Sequence, residues 1–360
     1  MARIANRSAA RLLALSSALA IMAGCAEEAP PADDVATSSA VEGIANAEDF
    51  ATIGDGSWVV ASSMAGGDRT SGGLYRISAE TGEATLVYPV PAGEGSANGE
   101  QAPLLTPDCS TQLAANAFAP HGVTVQTFAG QETLFVVNHG GRESIELFTI
   151  NAPSGDDAVP SLRWAGCIPY PAGGFGNGVT VTTDGTLYTA NMGQPIGGET
   201  TSQMGGDVLS WTARDGWGTV ADSVMDGPNG IVVSPDSSEL FVAAWPGKQV
   251  VALNLETGAR REVDVPFLPD NVKWSDTGML LVTGHSIAKE VVMECYISTR
   301  TQCTIPSSVA VIDPATLEVR SLYEVDTDMA TTALDVGSEC WIGTARGNAI
   351  ARLHHACDTR

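Results

Sequence analysis

Six times along the chain, a short strand opens on a polar residue and turns apolar, and a second apolar strand ending in small or polar residues follows after a turn. Such a repeat constrains the fold strongly, because each unit carries an apolar face that only its neighbours can cover. The second strands begin the runs 57–61, 133–137, 186–190, 240–244, 279–283 and 340–344, at a mean spacing of somewhat over 50 residues. A four-stranded blade with its loops needs about that length. The sequence therefore predicts an all-β six-bladed propeller over 46–360.

The first strands open with Glu48-Asp49-Phe50, His121-Gly122-Val123, Asn177-Gly178-Val179, Asn229-Gly230-Ile231, Asp270-Asn271-Val272 and, more weakly, Thr331-Thr332-Ala333-Leu334. Innermost strands line the axis of a propeller, so these openings are expected to converge on one ring. Glu48, Asn177, Asn229, Asp270 and Asn271 give that ring two carboxylates and three amides. Hard oxygen donors in this number suit Ca²⁺ in the central channel better than zinc or copper. Taken singly, Asn-Gly is also a strong turn signal. In register across five units, the set points to a metal.

The far ends of the second strands return to the same face and bring His139, Asn191, Met192, Trp245, His285 and Arg346 above the ring. Met192, Trp245, His285 and Arg346 are expected as walls of a small-molecule pocket, since such sites combine apolar walls with a few polar groups.

The run His121-Gly122-Val123-Thr124-Val125, then Leu134-Phe135-Val136-Val137-Asn138-His139, then Glu146-Leu147-Phe148, resembles the paraoxonase (arylesterase and lactonase) family. The likeness extends to Glu48-Asp49, to 229–236 and to Asp270-Asn271 with His285 after it, touching five of the six units. It implies that Glu48, Asn177, Asn229, Asp270 and Asn271 bind a catalytic calcium, with His121 and His139 as a dyad beside it. It also implies a second calcium at Asp49 and the Val123 carbonyl. Gly178 stands where the family has Asp, which leaves that second site short of a carboxylate. The regucalcin and gluconolactonase propellers share the calcium ring but lack the His-Gly-Val and Asn-His signatures.

The expected chemistry is hydrolysis of a lactone or aryl ester, with Ca²⁺ polarising the carbonyl and His121 and His139 activating water. The sequence offers no evident Gly-x-Ser-x-Gly elbow for a serine nucleophile. Two other readings stay open: a non-enzymatic, calcium-stabilised binding module, and a sugar-lactone hydrolase of the gluconolactonase kind.

Arg3, Arg7 and Arg11 precede an apolar run that ends in Ala23-Gly24-Cys25, which reads as a lipoprotein signal over 1–24 with lipidation at Cys25. Residues 25–45 are mainly Ala, Pro, Glu, Asp and Ser and read as a disordered tether. The expected location is the outer membrane, facing periplasm or cell surface, with the lipid as the sole membrane contact. The remaining six of seven cysteines are then an even set in an oxidising compartment. Proximity suggests Cys295 with Cys303 and Cys340 with Cys357, leaving Cys109 with Cys167. A net charge of −24 leaves no basic face for nucleic acid.

Overall fold

The computed structural model describes residues 39–89, 105, 106, 109, 111–153, 159–200 and 202–358. The expected signal peptide, Cys25 and the tether up to residue 38 lie outside them. Six antiparallel sheets follow one another in chain order. Each begins with an inner strand: Ala47–Ile53, Pro120–Phe128, Gly176–Val181, Pro228–Val233, Leu268–Trp274 and Ala330–Val336. Each inner strand packs beside the next, and the sixth packs beside the first, which closes the ring around an axial channel. The fold is the predicted six-bladed propeller.

Apolar, β-branched-rich second strands sit in the middle of each blade and are buried on both faces, so they read as near-continuous hydrophobic runs. The cores lie between blades. Leu74 and Tyr88 of blade 1, for example, share one cluster with Leu134, Phe148 and Trp164 of blade 2.

The sixth blade departs from the expected boundary at residue 46. Its outer strand is Ser39–Glu42, from within the stretch expected as tether, paired antiparallel with Ala349–Leu353. Val41 and Ile44 explain the placement: both are apolar and at most 2% exposed, so the small, acidic segment has enough to bury at its edge. This strand completes the last blade to four strands and becomes its outer edge, covering Ala349–Leu353.

All three expected disulfides form: Cys109–Cys167, Cys295–Cys303 and Cys340–Cys357. The middle one joins the end of a helix, Lys289–Ile297, to the loop that follows it. This helix is an addition to the all-β expectation and lies between the second and third strands of blade 5.

Every inner strand carries a register shift near its start, at 47/49, 120/123, 176/179, 228/231, 269/272 and 330/332. A bulge re-aims side chains and ends regular pairing, a device common beside active sites. These six bulges contain Glu48, His121, Asn177, Asn229, Asp270-Asn271 and Thr331.

Candidate functional site

The Asn-Gly pairs are therefore strand bulges facing the channel, not hairpin turns. Their glycines follow from crowding at the axis. A Cβ at Gly122 would lie 2.4 Å from the Asn177 carbonyl oxygen, one at Gly178 would lie 2.8 Å from that of Asn229, and one at Gly230 would lie 2.5 Å from Asn271 Cα. Each bulge presses its neighbour's backbone, and glycine is what allows the donor before it to point inward.

Glu48, His121, Asn177, Asn229, Asp270 and Thr331 line one cavity of about 150 Å³. A cavity of roughly that size holds a single six-membered ring. Its floor is polar and its walls are apolar, with Met192, Trp245 and His285 in their expected places. Sequence reasoning missed Met64, Phe175, Met204, Met329 and the helix residues Val292, Met293 and Tyr296, which complete the walls. Their contribution is invisible without the helix and the loops being placed.

Three floor oxygens, Glu48 Oε2, Asn177 Oδ1 and Asn229 Oδ1, are buried without a hydrogen-bond partner. Orphaned buried polar atoms are costly and call for an explanation. Burial, together with Asp49 and Asp270, drives the Glu48 pKa well above the ordinary carboxylate range. Burial likewise raises Asp270 to about 8. A bound divalent cation would satisfy the oxygens and reverse both shifts, so the residues fit calcium. Among the described residues no three His, Cys, Asp or Glu side chains gather as a metal-binding group, so an ion held here would depend on the amide oxygens of Asn177 and Asn229. Asn271, expected as a ligand, lies beside the donors: its amide nitrogen donates to Glu48 Oε1 at 2.6 Å and so also braces that carboxylate.

The expected second calcium meets a different cation. Lys273 Nζ lies 2.8 Å from Asp49 Oδ1 and 2.9 Å from Asp49 Oδ2, and donates to the Val123 carbonyl at 3.1 Å. The ammonium already neutralises the carboxylate and occupies the oxygens that a second calcium would take.

His121 and His139 come together as expected, with Nδ1 of the first 3.0 Å from Nε2 of the second. Glu143 extends the pair, its Oε2 lying 2.9 Å from His139 Nδ1. The loop carrying His139 and Glu143 is fixed from below. Asn138, fully buried, donates to the carbonyls of Gly140 and Arg142, and Arg142 forms a two-pronged pair with buried Glu146. Phe175 stacks on the His139 ring at 4.4 Å between centroids.

The protons in this chain can be assigned. Glu143 is an acceptor, so His139 Nδ1 carries a hydrogen, His139 Nε2 accepts, and His121 Nδ1 donates. His121 Nε2 is left with its lone pair free, 3.6 Å from Glu48 Oε1. Burial, aided by His139 and Arg346, lowers the His121 pKa to about 3 and keeps the ring neutral.

His285 has the opposite polarity. The Trp245 indole N–H, which can only donate, reaches its Nδ1 at 3.2 Å, so the hydrogen sits on Nε2. That Nε2–H is buried without a hydrogen-bond partner, 3.7 Å from Asp270 Oδ2. The cavity thus offers one basic nitrogen and one donor nitrogen.

Arg346 departs from its expected place in the wall, where Ala345 stands instead. Its guanidinium donates to the carbonyls of Ala345 and Tyr296, both at 2.6 Å, and covers the Tyr296 ring. It fastens the end of the helix to the propeller.

No protein-family model and no curated protein sequence matches the chain. Solved structures do. A gluconolactonase from Xanthomonas campestris is 20% identical, with 87% of this chain and 88% of that one covered at a TM-score of 0.51. Regucalcin, a calcium-binding protein from Agrobacterium tumefaciens, is 11% identical, with 91% and 96% covered at 0.53. An aldose sugar dehydrogenase from Streptomyces coelicolor, bound to PQQ, is 13% identical, with 91% and 99% covered at 0.51. These likenesses establish the propeller fold, within which regucalcin and gluconolactonase are neighbours. They do not single out the paraoxonase branch, and a fold shared with a dehydrogenase does not fix a function.

Proposed function

We infer that the protein is a calcium-dependent hydrolase of lactones or other carboxylic esters. One observation carries the reading: three unpartnered buried oxygens share a ring-sized cavity with the free Nε2 of His121. Glu48, Asn177, Asn229 and Asp270 would hold the calcium, and Asn271 would fix the Glu48 carboxylate. When bound, the ion supplies a Lewis acid for the substrate carbonyl oxygen.

The chain's own residues do the rest. His121 Nε2 takes a proton from the attacking water. Its Nδ1 hydrogen can then pass to His139 Nε2, and the His139 Nδ1 hydrogen faces Glu143, whose side chain is about a third exposed and so meets solvent. The relay carries a proton out of a cavity in which a charged imidazolium is disfavoured by burial. His285 Nε2–H is placed to donate to a substrate oxygen. A binding module would have no need of this relay, whereas hydrolysis does.

The apolar walls favour an alkyl or aryl substituent, in line with the paraoxonase-like motifs. The gluconolactonase neighbour supports the alternative of a polar sugar lactone. Turnover of aliphatic lactones, phenyl acetate and gluconolactone separates the two, measured with and without chelator and beside His121→Gln. Calcium-dependent turnover lost in the variant is the expected result. A folded, calcium-binding protein inert on every substrate would move the assignment to a binding module. The three disulfides favour export to an oxidising compartment, in keeping with a lipid anchor at Cys25.

A further inference from the structure

Deeper in the channel than the donor ring, Asp49 is 2% exposed and yet saturated with donors. The Phe50 amide reaches Oδ1 at 2.9 Å and the Thr332 hydroxyl reaches the same oxygen at 3.2 Å, while the Val123 amide reaches Oδ2 at 2.8 Å. Among the described residues, Lys273 is the cationic side chain in contact with Asp49. Its three hydrogens match three oxygens, the two of Asp49 and the Val123 carbonyl. Asp49, Val123 and Lys273 come from the inner strands of blades 1, 2 and 5, so a single ammonium ties three of the six blades at the axis, and Thr332 of blade 6 joins them through Asp49.

A hard divalent ion takes six to eight oxygens, water included, and the three that the protein offers here are already held by the ammonium. Glycine at 178 adds none, and a side chain there would collide with the Asn229 carbonyl. We propose that Lys273 is a tethered cation that permanently fills the inner channel position, so that the protein binds a single divalent ion, at the donor ring. The count of one rests on the calcium reading above; the role of Lys273 does not. Val123, Lys273 and Trp274 also line a cleft of the propeller, so an inner position vacated by the lysine would be open to ions from solvent.

The test uses full-length protein and Lys273→Met, with calcium stoichiometry from titration calorimetry and Tm with and without calcium. Wild type is expected to bind one calcium. Removing one partner of a buried pair should lower the variant's metal-free Tm by roughly 5–10 °C. Millimolar calcium should restore that loss and raise the stoichiometry by one. In Asp49→Asn/Lys273→Met the extra site should vanish, which keeps the test decisive if the single variant folds poorly. Two calcium ions on wild type, or a variant with unchanged stoichiometry and metal response, overturns the proposal. Wild type binding none would defeat the calcium reading alone, while a metal-rescued Tm confined to Lys273→Met would still support the lysine.

Discussion

Nδ1 of His121 lies 3.0 Å from Nε2 of His139, and that single contact sets which nitrogen of each ring is basic. Because Glu143 holds the far side of His139 at 2.9 Å, the free lone pair falls on His121 Nε2, inside the cavity. Removing the base should cost far more than removing the carboxylate. His121→Gln is expected to lower kcat by about 10²–10⁴, the usual worth of a positioned general base. Glu143→Ala is expected to lower kcat about tenfold with KM within about twofold, since the relay persists without its anchor. Steady-state kinetics on one lactone checks both, and a Glu143→Ala effect confined to KM would contradict the relay.

Trp245 sets the other tautomer. Trp245→Phe keeps the ring in the wall but removes the N–H donated to His285 Nδ1, so the hydrogen is no longer confined to Nε2. We expect a several-fold loss in kcat with unchanged calcium affinity. Equal kcat in Trp245→Phe and wild type would remove His285 from the mechanism.

Asp270 gives a pH signature to the metal-free protein. Burial first of all raises its folded pKa to about 8 from an ordinary 3.8, and Glu48 is raised as well. Between those values the folded state holds protons that the unfolded chain has released, so stability falls as pH rises. His121 and His285, both lowered by burial to about 3 from an ordinary 6.5, act in the opposite sense below about pH 6.5, so the Tm of dialysed, metal-free protein should decline between about pH 6.5 and about pH 8. Saturating calcium, which favours the ionised carboxylates, should flatten that slope. Parallel slopes with and without calcium would place the ion elsewhere.

Blade count and donor ring were legible because the polar-then-apolar strand openings recur six times, and an axial strand needs both features. The bulges were not legible, since Asn-Gly is spelled the same in a bulge and in a turn, and only the crowding of Gly178 and Gly230 against the next blade tells them apart. Glu143, four residues past His139, and Lys273, two past Asn271, carried a spacing signal that a search for metal donors passes over. Arg346 was misplaced because it stands just past the end of the strand Glu339–Thr344, as a wall residue would, while its long side chain reaches aside to the Tyr296 carbonyl. The strand Ser39–Glu42 was hidden by its composition, its two apolar anchors Val41 and Ile44 standing among acidic and small residues.

The crowding itself is testable. Gly230→Ala would bring a Cβ to 2.5 Å from Asn271 Cα, a backbone contact that cannot swing away. The expected cost is about 1–3 kcal/mol of stability. Calcium affinity should also weaken, because the displaced segment carries Asp270 and the brace on Glu48. Urea unfolding and calcium titration of the variant separate the two effects, and an unshifted calcium affinity would mean the bulge does not position the donors.

The most direct test of a calcium-dependent hydrolase is reconstitution of metal-free protein while the turnover of an alkyl lactone is followed. Activity is expected to be absent at the start and to rise in proportion to added calcium until one equivalent is bound, with magnesium failing to substitute. Full turnover in the metal-free protein, unchanged by calcium, would contradict the account at its centre.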